Sequence, residues 1–156
     1  MYNELVMAME LLIKPASPAD ITTLAKMNLA LINDEGSRNP MTLQELEDRM
    51  RDWLAGEYSA TFIIFDGKIA GYCLYQVRKD EYFLENTEVY VRQFYIKPEF
   101  RRQHVGSYAF EQITADWFSS ENTTVILDVL ENNSAARQFW SQLGFMPYYT
   151  RMRKTC

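Results

Sequence analysis

The sequence predicts one domain of the α/β (α+β) class, built on a central mixed sheet that is mostly antiparallel. Its 156 residues suit a single core, and a hydrophobic content of 47% excludes a disordered chain. Asp66-Gly67 joins two apolar runs, which is a strong signal for an antiparallel hairpin. A strand, helix and strand follow one another within 84–130, and this order predicts a parallel crossover.

Local start and stop signals divide the chain into short elements. A capping box at Thr42 and Glu45 starts one helix, and Gly56 is expected to end it. The apolar run 123–130 predicts a strand that is buried on both faces. The predicted order is strand 9–15, a helix from Ser17, a loop over 33–40, a helix from Thr42, strands 58–65, 68–77 and 84–97, helix 105–118, strand 123–130, helix 134–143 and a last strand 145–153.

Composition and charge exclude several classes of protein. The net charge of −5 argues against a nucleic-acid partner, which requires a basic surface. No run approaches the roughly 20 apolar residues of a membrane span. Two cysteines and one histidine predict no metal site. We expect a cytoplasmic protein, with residues 1–8 as an N-terminal extension and 9–156 as the domain.

The stretch KPEFRRQHVGSYAFEQI, residues 97–113, forms the turn between a strand and a helix. Unpaired N–H groups and the positive end of the helix dipole favour anions at such a place. Arg101 and Arg102 are expected to add mobile positive charge. The turn is therefore interpreted either as a pyrophosphate cradle or as an ordinary helix start with solvated arginines, and the local residues alone do not separate the two.

The apolar alternation of strand 84–97 shifts parity between Val91 and Phe94. A β-bulge near Arg92 and Gln93 would restore the pattern and free a backbone N–H that could face a ligand carbonyl. The alternative is that aromatic residues occupy either face of a half-buried strand.

Taken together, these motifs resemble those of the GNAT family of N-acetyltransferases, over about residues 9 to 152. The family's pyrophosphate motif, Arg/Gln-x-x-Gly-x-Gly/Ala, is matched by RRQHVG, in which His104 replaces the first glycine. Its later motif, an Asn followed by an apolar helix and Gly-Phe, is matched by NNSAARQFWSQLGF from Asn133 to Phe145. The resemblance implies a GNAT-like fold in which the two parallel strands splay apart at the cofactor site.

The resemblance also implies acetyl-CoA, or another acyl-CoA, as co-substrate and no metal. The pantetheine arm would pair with the backbone of Phe94 and Ile96, and the Phe94 N–H would polarise the thioester carbonyl and stabilise the oxyanion. The residues expected at the cofactor are Phe94, Tyr95, Ile96, Arg101, Arg102, Gln103, His104, Val105, Gly106, Ser107, Asn133, Ala136, Phe139 and Trp140.

The acceptor amine must lose a proton before it can attack, and a carboxylate can take that proton. Glu88 is the predicted catalytic carboxylate, although the family's usual glutamate falls nearer position 90 or 92. The alternative is that Glu88 is a solvated charge paired with Arg92.

Many family members use a tyrosine to protonate the leaving thiolate, and Trp140 stands at that position here. An indole N–H is too weak an acid for this step. Tyr148 is the predicted donor, with Tyr149, Tyr90 and Tyr95 as alternatives. A thiol of pKa near ~8.5 can also leave unassisted.

The acceptor is expected to be a small-molecule amine or a protein amine, with no nucleic acid or membrane partner. Asp34 and Glu35 in the predicted loop could receive a cationic amine, or they could be solvated charges. Tyr90 and Arg92 are the other predicted substrate-binding residues. The predicted function is acetyl transfer to a primary amine by direct attack in a ternary complex. A CoA-binding sensor or interaction module without catalysis is the alternative, a nucleotide-binding protein ranks lower, and a homodimer is left open.

Overall fold

The fold is built on a five-stranded sheet, seen in a computed structural model that describes residues 10–118 and 121–156. The predicted extension 1–8 lies outside these residues. In chain order the elements are β1 (Leu11–Pro15), α1 (Ile21–Glu35), α2 (Leu43–Ala55), β2 (Tyr58–Phe65), β3 (Lys68–Lys79), β4 (Thr87–Ile96), α3 (Val105–Ala115), β5 (Thr123–Leu127) and α4 (Ser134–Gln142).

The sheet has the order β1-β2-β3-β4-β5 and is mixed, as predicted. The first three pairings are antiparallel, and β4 pairs with β5 in parallel. Both residues of the β2–β3 turn have positive φ, 51° at Asp66 and 75° at Gly67. A two-residue hairpin loop with this backbone matches the twist of the strands. The hairpin and the crossover predictions are therefore confirmed.

Helix α2 starts where the sequence indicates, whereas α1 starts and ends later than expected. Pro18–Asp20 form a 3-10 turn after Ser17, and the α-helix begins at Ile21. Thr42 Oγ1 accepts from the Glu45 N–H at 3.3 Å, and the Glu45 carboxylate accepts from the Thr42 N–H at 2.9 Å, which is the predicted capping box. Helix α1 continues to Glu35 and stops at Gly36, whose φ of 63° is left-handed. Glycine is the usual residue at such a stop. The prediction that the loop begins at residue 33 is therefore wrong.

Apolar residues fill both faces of the sheet. Leu24 and Met50, from α1 and α2, pack with Tyr72 of β3 on one face. On the other face Val91 of β4 packs against Phe110 of α3. Strand β4 therefore lies between two layers of buried side chains, one on each face of the sheet.

The predicted last strand, 145–153, does not form. Residues 145–156 have no strand pairing, and Met146 and Met152 are 84% and 88% exposed. Aromatic residues favour a strand, but Pro147 has no N–H to donate to a ladder. Strand β5 is also shorter than predicted and ends at Leu127, and none of its residues is fully buried, so the expected burial on both faces is wrong.

Helix α3 ends at Ala115 rather than at residue 118. Within residues 10–118 and 121–156, no helix is both long and apolar enough to cross a bilayer.

Gly71 is required where β3 passes the end of β4. An added Cβ would lie 1.9 Å from the Tyr95 carbonyl oxygen, which is backbone and cannot rotate away. We expect Gly71→Ala to lower the free energy of unfolding by about 2–3 kcal/mol, because the two strands would have to move apart. Urea unfolding measures this loss.

Gly36→Ala is the matched control for this substitution. Gly36 has φ 63° but nothing within 4 Å of an added Cβ, so only backbone strain of about 1 kcal/mol is expected. If Gly71→Ala costs no more than this control, the close approach of β3 to β4 is not the constraint that we describe.

Candidate active site

A bulge in β4 changes the face to which its side chains point. Leu74 of β3 pairs with Gln93 and Tyr75 pairs with Val91, so Arg92 is an extra residue without a partner on β3. Val91 lies in the core on the α3 face, and Phe94 packs against that same core. The bulge therefore lies where the parity shift predicts it.

Beyond the bulge, every second residue of β4 directs its backbone N–H and C=O groups away from β3. The Lys97 N–H donates to the Ala70 carbonyl at 2.7 Å, and antiparallel pairs alternate between hydrogen-bonded and non-hydrogen-bonded positions. By this alternation Phe94 and Ile96 direct their N–H and C=O groups toward the β5 side. Parallel pairing with β5 ends at Val91, so within the described residues β5 does not pair with these groups of Phe94 and Ile96.

Tyr95 lies between these two residues and faces the opposite way. Its backbone pairs with Tyr72 of β3, and its side chain is buried on the α1 and α2 face. The Tyr95 backbone is engaged with β3 and its side chain is in the core, so the geometry does not favour the cofactor contact that was expected of Tyr95.

The turn before α3 contains two non-glycine residues with left-handed backbone, Arg102 at φ 60° and His104 at φ 62°. Side chains rarely adopt this conformation, and the family's glycine at the position of His104 suits it better. Gln103 donates from Nε2 to the Glu99 carbonyl at 3.1 Å. The turn ends at Val105, where α3 presents its first N–H groups, which have no partner within the helix.

Arg101 does not carry the mobile charge predicted for it. Its Nε donates to the Ile96 carbonyl at 2.8 Å, and its guanidinium forms an ion pair with Asp34 at the end of α1. The side chain ties the turn to both β4 and α1. Arg102 is exposed and remains the arginine of this turn that can approach a bound anion.

The start of α3 packs closely on its surroundings. Val105 is 1% exposed and belongs to the core. An added Cβ at Gly106 would lie 3.3 Å from the Phe139 ring and 3.4 Å from the Ile96 side chain. The small residue thus lets the first turn of α3, with Ser107, approach the end of β4 closely.

Helix α4 is held at its start by Asn133, whose Oδ1 accepts from the Ala136 N–H at 3.2 Å. It carries Phe139, which stacks on Phe94 with ring centroids 5.8 Å apart and planes 18° apart. Trp140 contacts Phe94 and Phe110 at 5.4 and 5.0 Å. Where the resemblance leads us to expect a tyrosine hydroxyl, this chain therefore has the Trp140 ring, which packs within an aromatic cluster.

A polar pocket of about 190 Å³ lies on the other face of β4, between the strand and the two helices α1 and α2. We call it the α1–α2 pocket. Three of the four predicted substrate residues line it, namely Glu35, Tyr90 and Arg92. Its other lining residues are Asn28, Leu31, Ile32, Ser37, Asn39, Arg49, Trp53 and Gln93. Asp34, the fourth predicted residue, pairs with Arg101 instead.

Two ionisable groups of the α1–α2 pocket have perturbed pKa values. Burial, followed by the charge of Asp34, raises the pKa of Glu35 above its ordinary 4.5. Burial is also the main reason that the pKa of Tyr90 rises to about 12, and the hydrogen bond to Asp128 adds to it. The Tyr90 hydroxyl donates to Asp128 Oδ2 at 2.8 Å. Glu35 is thus a stronger base than a solvated glutamate, and Tyr90 is protonated at neutral pH.

The two other predicted catalytic side chains lie elsewhere. Glu88 accepts from Arg78 Nε at 2.7 Å across the β3–β4 pair, so the partner proposed for it, Arg92, is wrong. Tyr148 is 92% exposed in the C-terminal segment, where its ring lies 6.4 Å from that of Tyr149. Neither residue lines the α1–α2 pocket.

Asn28, Arg49 and Trp53 are pocket residues that sequence reasoning missed. Leu46, Met50 and Trp53 recur at helical spacing, which predicts an apolar face of α2 and gives no indication of a pocket. A signal existed in Asn28, a polar residue one position after Met27 on the buried side of α1, where polar side chains are uncommon. Arg49 precedes the buried Met50 and gives no sign of its own.

Residues 28–145 match the sequence profile described as the Acetyltransferase (GNAT) family. No curated protein sequence is similar enough to the chain to be matched. Within the described residues, no group of three or more His, Cys, Asp or Glu side chains could hold a metal ion.

Several solved structures share the fold at low sequence identity. A possible acetyltransferase from Clostridium difficile superimposes with a TM-score of 0.78 at 18% identity, covering 93% of this chain and 96% of its own. A predicted acetyltransferase from Clostridium acetobutylicum, crystallised with acetyl-CoA, has a TM-score of 0.73 at 14% identity, covering 94% and 96%. An aminoglycoside acetyltransferase from an uncultured soil sample, in complex with sisomicin, has a TM-score of 0.68 at 14% identity, with the same coverage.

Proposed function

Because the chain belongs to the GNAT acetyltransferase family, we propose that it transfers an acetyl group from acetyl-CoA to a primary amine, by direct attack in a ternary complex. The observation that carries the proposal is the geometry around the bulge of β4. On one side, backbone groups of Phe94 and Ile96 face away from β3, past the point where β4 stops pairing with β5. On the other face, the α1–α2 pocket offers a carboxylate and an opening for a small acceptor.

The donor half of the site fits an acyl-CoA. The Phe94 backbone groups and the Ile96 N–H can pair with the amides of a pantetheine arm as a neighbouring strand would, because β5 no longer pairs with them. The Ile96 carbonyl already accepts from Arg101 Nε. The first N–H groups of α3, at Val105, Gly106 and Ser107, suit a pyrophosphate. That a solved structure of the same fold contains acetyl-CoA supports this choice of donor.

Attack on the thioester requires a neutral amine, and Glu35 is the base that we assign. Glu35 is the carboxylate that lines the α1–α2 pocket, whereas Glu88 is held by Arg78. A raised pKa makes Glu35 better suited to accept a proton from an ammonium, directly or through a water. The nitrogen then attacks the carbonyl carbon, and the Phe94 N–H stabilises the oxygen as it gains charge.

Collapse of the tetrahedral intermediate breaks the C–S bond and releases the CoA thiolate. Trp140 packs within aromatic rings and cannot supply a proton. The nitrogen is positively charged after the attack and loses its second proton to water as the amide forms. With a thiol pKa near ~8.5, the thiolate can leave unassisted and take a proton from water afterwards. Tyr90 is a poor proton donor for this thiolate, because its pKa is raised to about 12 and its hydroxyl already donates to Asp128.

The tryptophan also motivates the second candidate function, a CoA-binding module that no longer catalyses transfer. Thiol release from acetyl-CoA in the presence of a panel of amines separates the two functions, with mass spectrometry of the acetylated product. Amine-dependent release supports the enzyme. Binding of CoA with no release for any amine supports the module, and failure to bind CoA contradicts both.

Asn133 variants test whether the start of α4 takes part in donor binding. Asn133→Ala removes the acceptor for the Ala136 N–H and is expected to cost about 1 kcal/mol of stability, whereas Asn133→Asp keeps that acceptor. Since only the amide can donate to pantetheine, both variants should weaken CoA binding. Calorimetric titration with CoA checks this, and unchanged affinity in Asn133→Asp would limit Asn133 to capping the helix.

A further inference from the structure

The α1–α2 pocket contains two buried hydrogen-bond donors that no group in the described part of the chain satisfies. Asn28 is fully buried, and its Oδ1 accepts from the Arg49 guanidinium at 3.1 Å. Because a guanidinium can only donate, the oxygen of Asn28 must face it, and the amide nitrogen is left pointing elsewhere. The unpaired atoms are Asn28 Nδ2 and Arg49 Nε.

Both unpaired atoms need an acceptor. Buried donors without a partner are costly and uncommon in folded proteins, so they indicate a group that binds there. An ammonium has only donors and cannot satisfy either atom. The missing partner therefore differs in chemistry from the amine itself.

The charges around the two donors favour an anion. The guanidinium carbons of Arg49 and Arg92 lie 4.4 and 4.6 Å from the centre of the Trp53 ring. Neither arginine has an ion-pair partner among residues 10–118 and 121–156. Burial, and then the charge of Arg92, lowers the pKa of Arg49. The opposite charge of a bound anion would offset the cost of burying the Arg49 charge and its repulsion by Arg92.

We propose that the acceptor amine also bears a carboxylate, and that Arg49, Asn28 and Arg92 bind this carboxylate while Glu35 receives the ammonium. The inference rests on the proposed function in taking the α1–α2 pocket as the acceptor site. A planar carboxylate suits the paired donors of a guanidinium, and a volume of about 190 Å³ suits a small molecule. The acceptor class is thus an amino acid or a similar aminocarboxylate. The sequence alone left the class of amine open, because net charge does not report the local excess of arginines.

The test compares each amino acid with the amine that remains when its carboxylate is removed. The pairs are glycine and methylamine, alanine and ethylamine, lysine and cadaverine, and phenylalanine and phenethylamine. Calorimetric titration of the full chain, saturated with CoA, measures binding of each compound. For at least one pair we expect the amino acid to bind about tenfold or more tightly than its amine. Thiol release from acetyl-CoA, measured in parallel, reports transfer.

Two pocket variants and one control variant test which residues bind the carboxylate. Arg49→Gln is expected to reduce the preference for the carboxylate to less than about threefold. Arg92→Gln should also weaken this preference, and it leaves the core unchanged because Arg92 is exposed. Arg51→Gln should leave the preference as it is, since Arg51 lies on the same helix and pairs with Asp48 at 2.9 Å.

Equal or tighter binding of the amines that lack a carboxylate would overturn the proposal. So would a preference that survives both pocket variants, or a pocket that binds none of these compounds and holds only water. If amino acids bind in an Arg49-dependent way but no thiol is released, the carboxylate site stands and the proposed acetyl transfer fails.

Discussion

Replacing Glu35 with glutamine is expected to lower kcat about 10²–10⁴-fold, because the pocket loses the carboxylate that accepts the ammonium proton. The same substitution should raise the stability of the free protein at pH 7. The pKa of Glu35 is raised in the folded state, so its ionised form is penalised by folding. This contribution favours folding below about pH 4.5, and it is lost as the pH rises through the folded-state pKa.

Opposite changes in activity and stability distinguish a base from a merely structural carboxylate. The gain in stability of Glu35→Gln at pH 7 should disappear near pH 4, where the wild-type side chain is protonated as well. The wild-type pH–rate profile should show an acid limb with a pKa above 4.5 that the variant lacks. If Glu88→Gln abolishes activity while Glu35→Gln retains it, the assignment of the base is wrong.

The second large effect is expected at the Phe94 N–H, which an ester bond in place of the amide removes without changing the side chain. Incorporation of phenyllactate at position 94 should lower kcat about 10²–10³-fold, the range typical of losing one oxyanion donor. Thermal stability should change little, because by the alternation of the ladder this N–H does not bond to β3.

The matched control is the same exchange at Tyr95, one residue further along β4. The Tyr95 N–H faces Tyr72 of β3, so its loss should cost about 1 kcal/mol of stability and leave kcat within a few-fold. Similar kinetic losses from the two esters would mean that the Phe94 N–H has no special role.

Much of the fold could be predicted because its signals are local. The capping box at Thr42, the turn at Asp66-Gly67 and the parity shift at Arg92 each depend on a few neighbouring residues, and each lies where the sequence indicates. The strand expected at 145–153 has suitable residues but no partner, because pairing depends on the rest of the sheet.

The candidate site was less predictable because it joins distant segments. The turn that contains Arg101 predicts a phosphate ligand at that position. In the structure the Arg101 guanidinium instead forms an ion pair with Asp34, which lies 67 residues earlier in the chain. Asn28 and Arg49 come from different helices, and only their contact across the pocket shows that two donors remain unpaired. Such pairings carry no local signal, so a single sequence could not reveal them.

The central claim is that the open part of β4 receives the thioester of an acyl-CoA. A crystal structure of the complex with acetyl-CoA, or with a non-reactive thioether analogue, tests it most directly. We predict that the acyl carbonyl oxygen lies within hydrogen-bonding distance of the Phe94 nitrogen, at about 2.7–3.2 Å, with the pantetheine between β4 and β5. A complex in which the acyl group lies elsewhere, with β5 paired along β4 past Val91, would contradict the account.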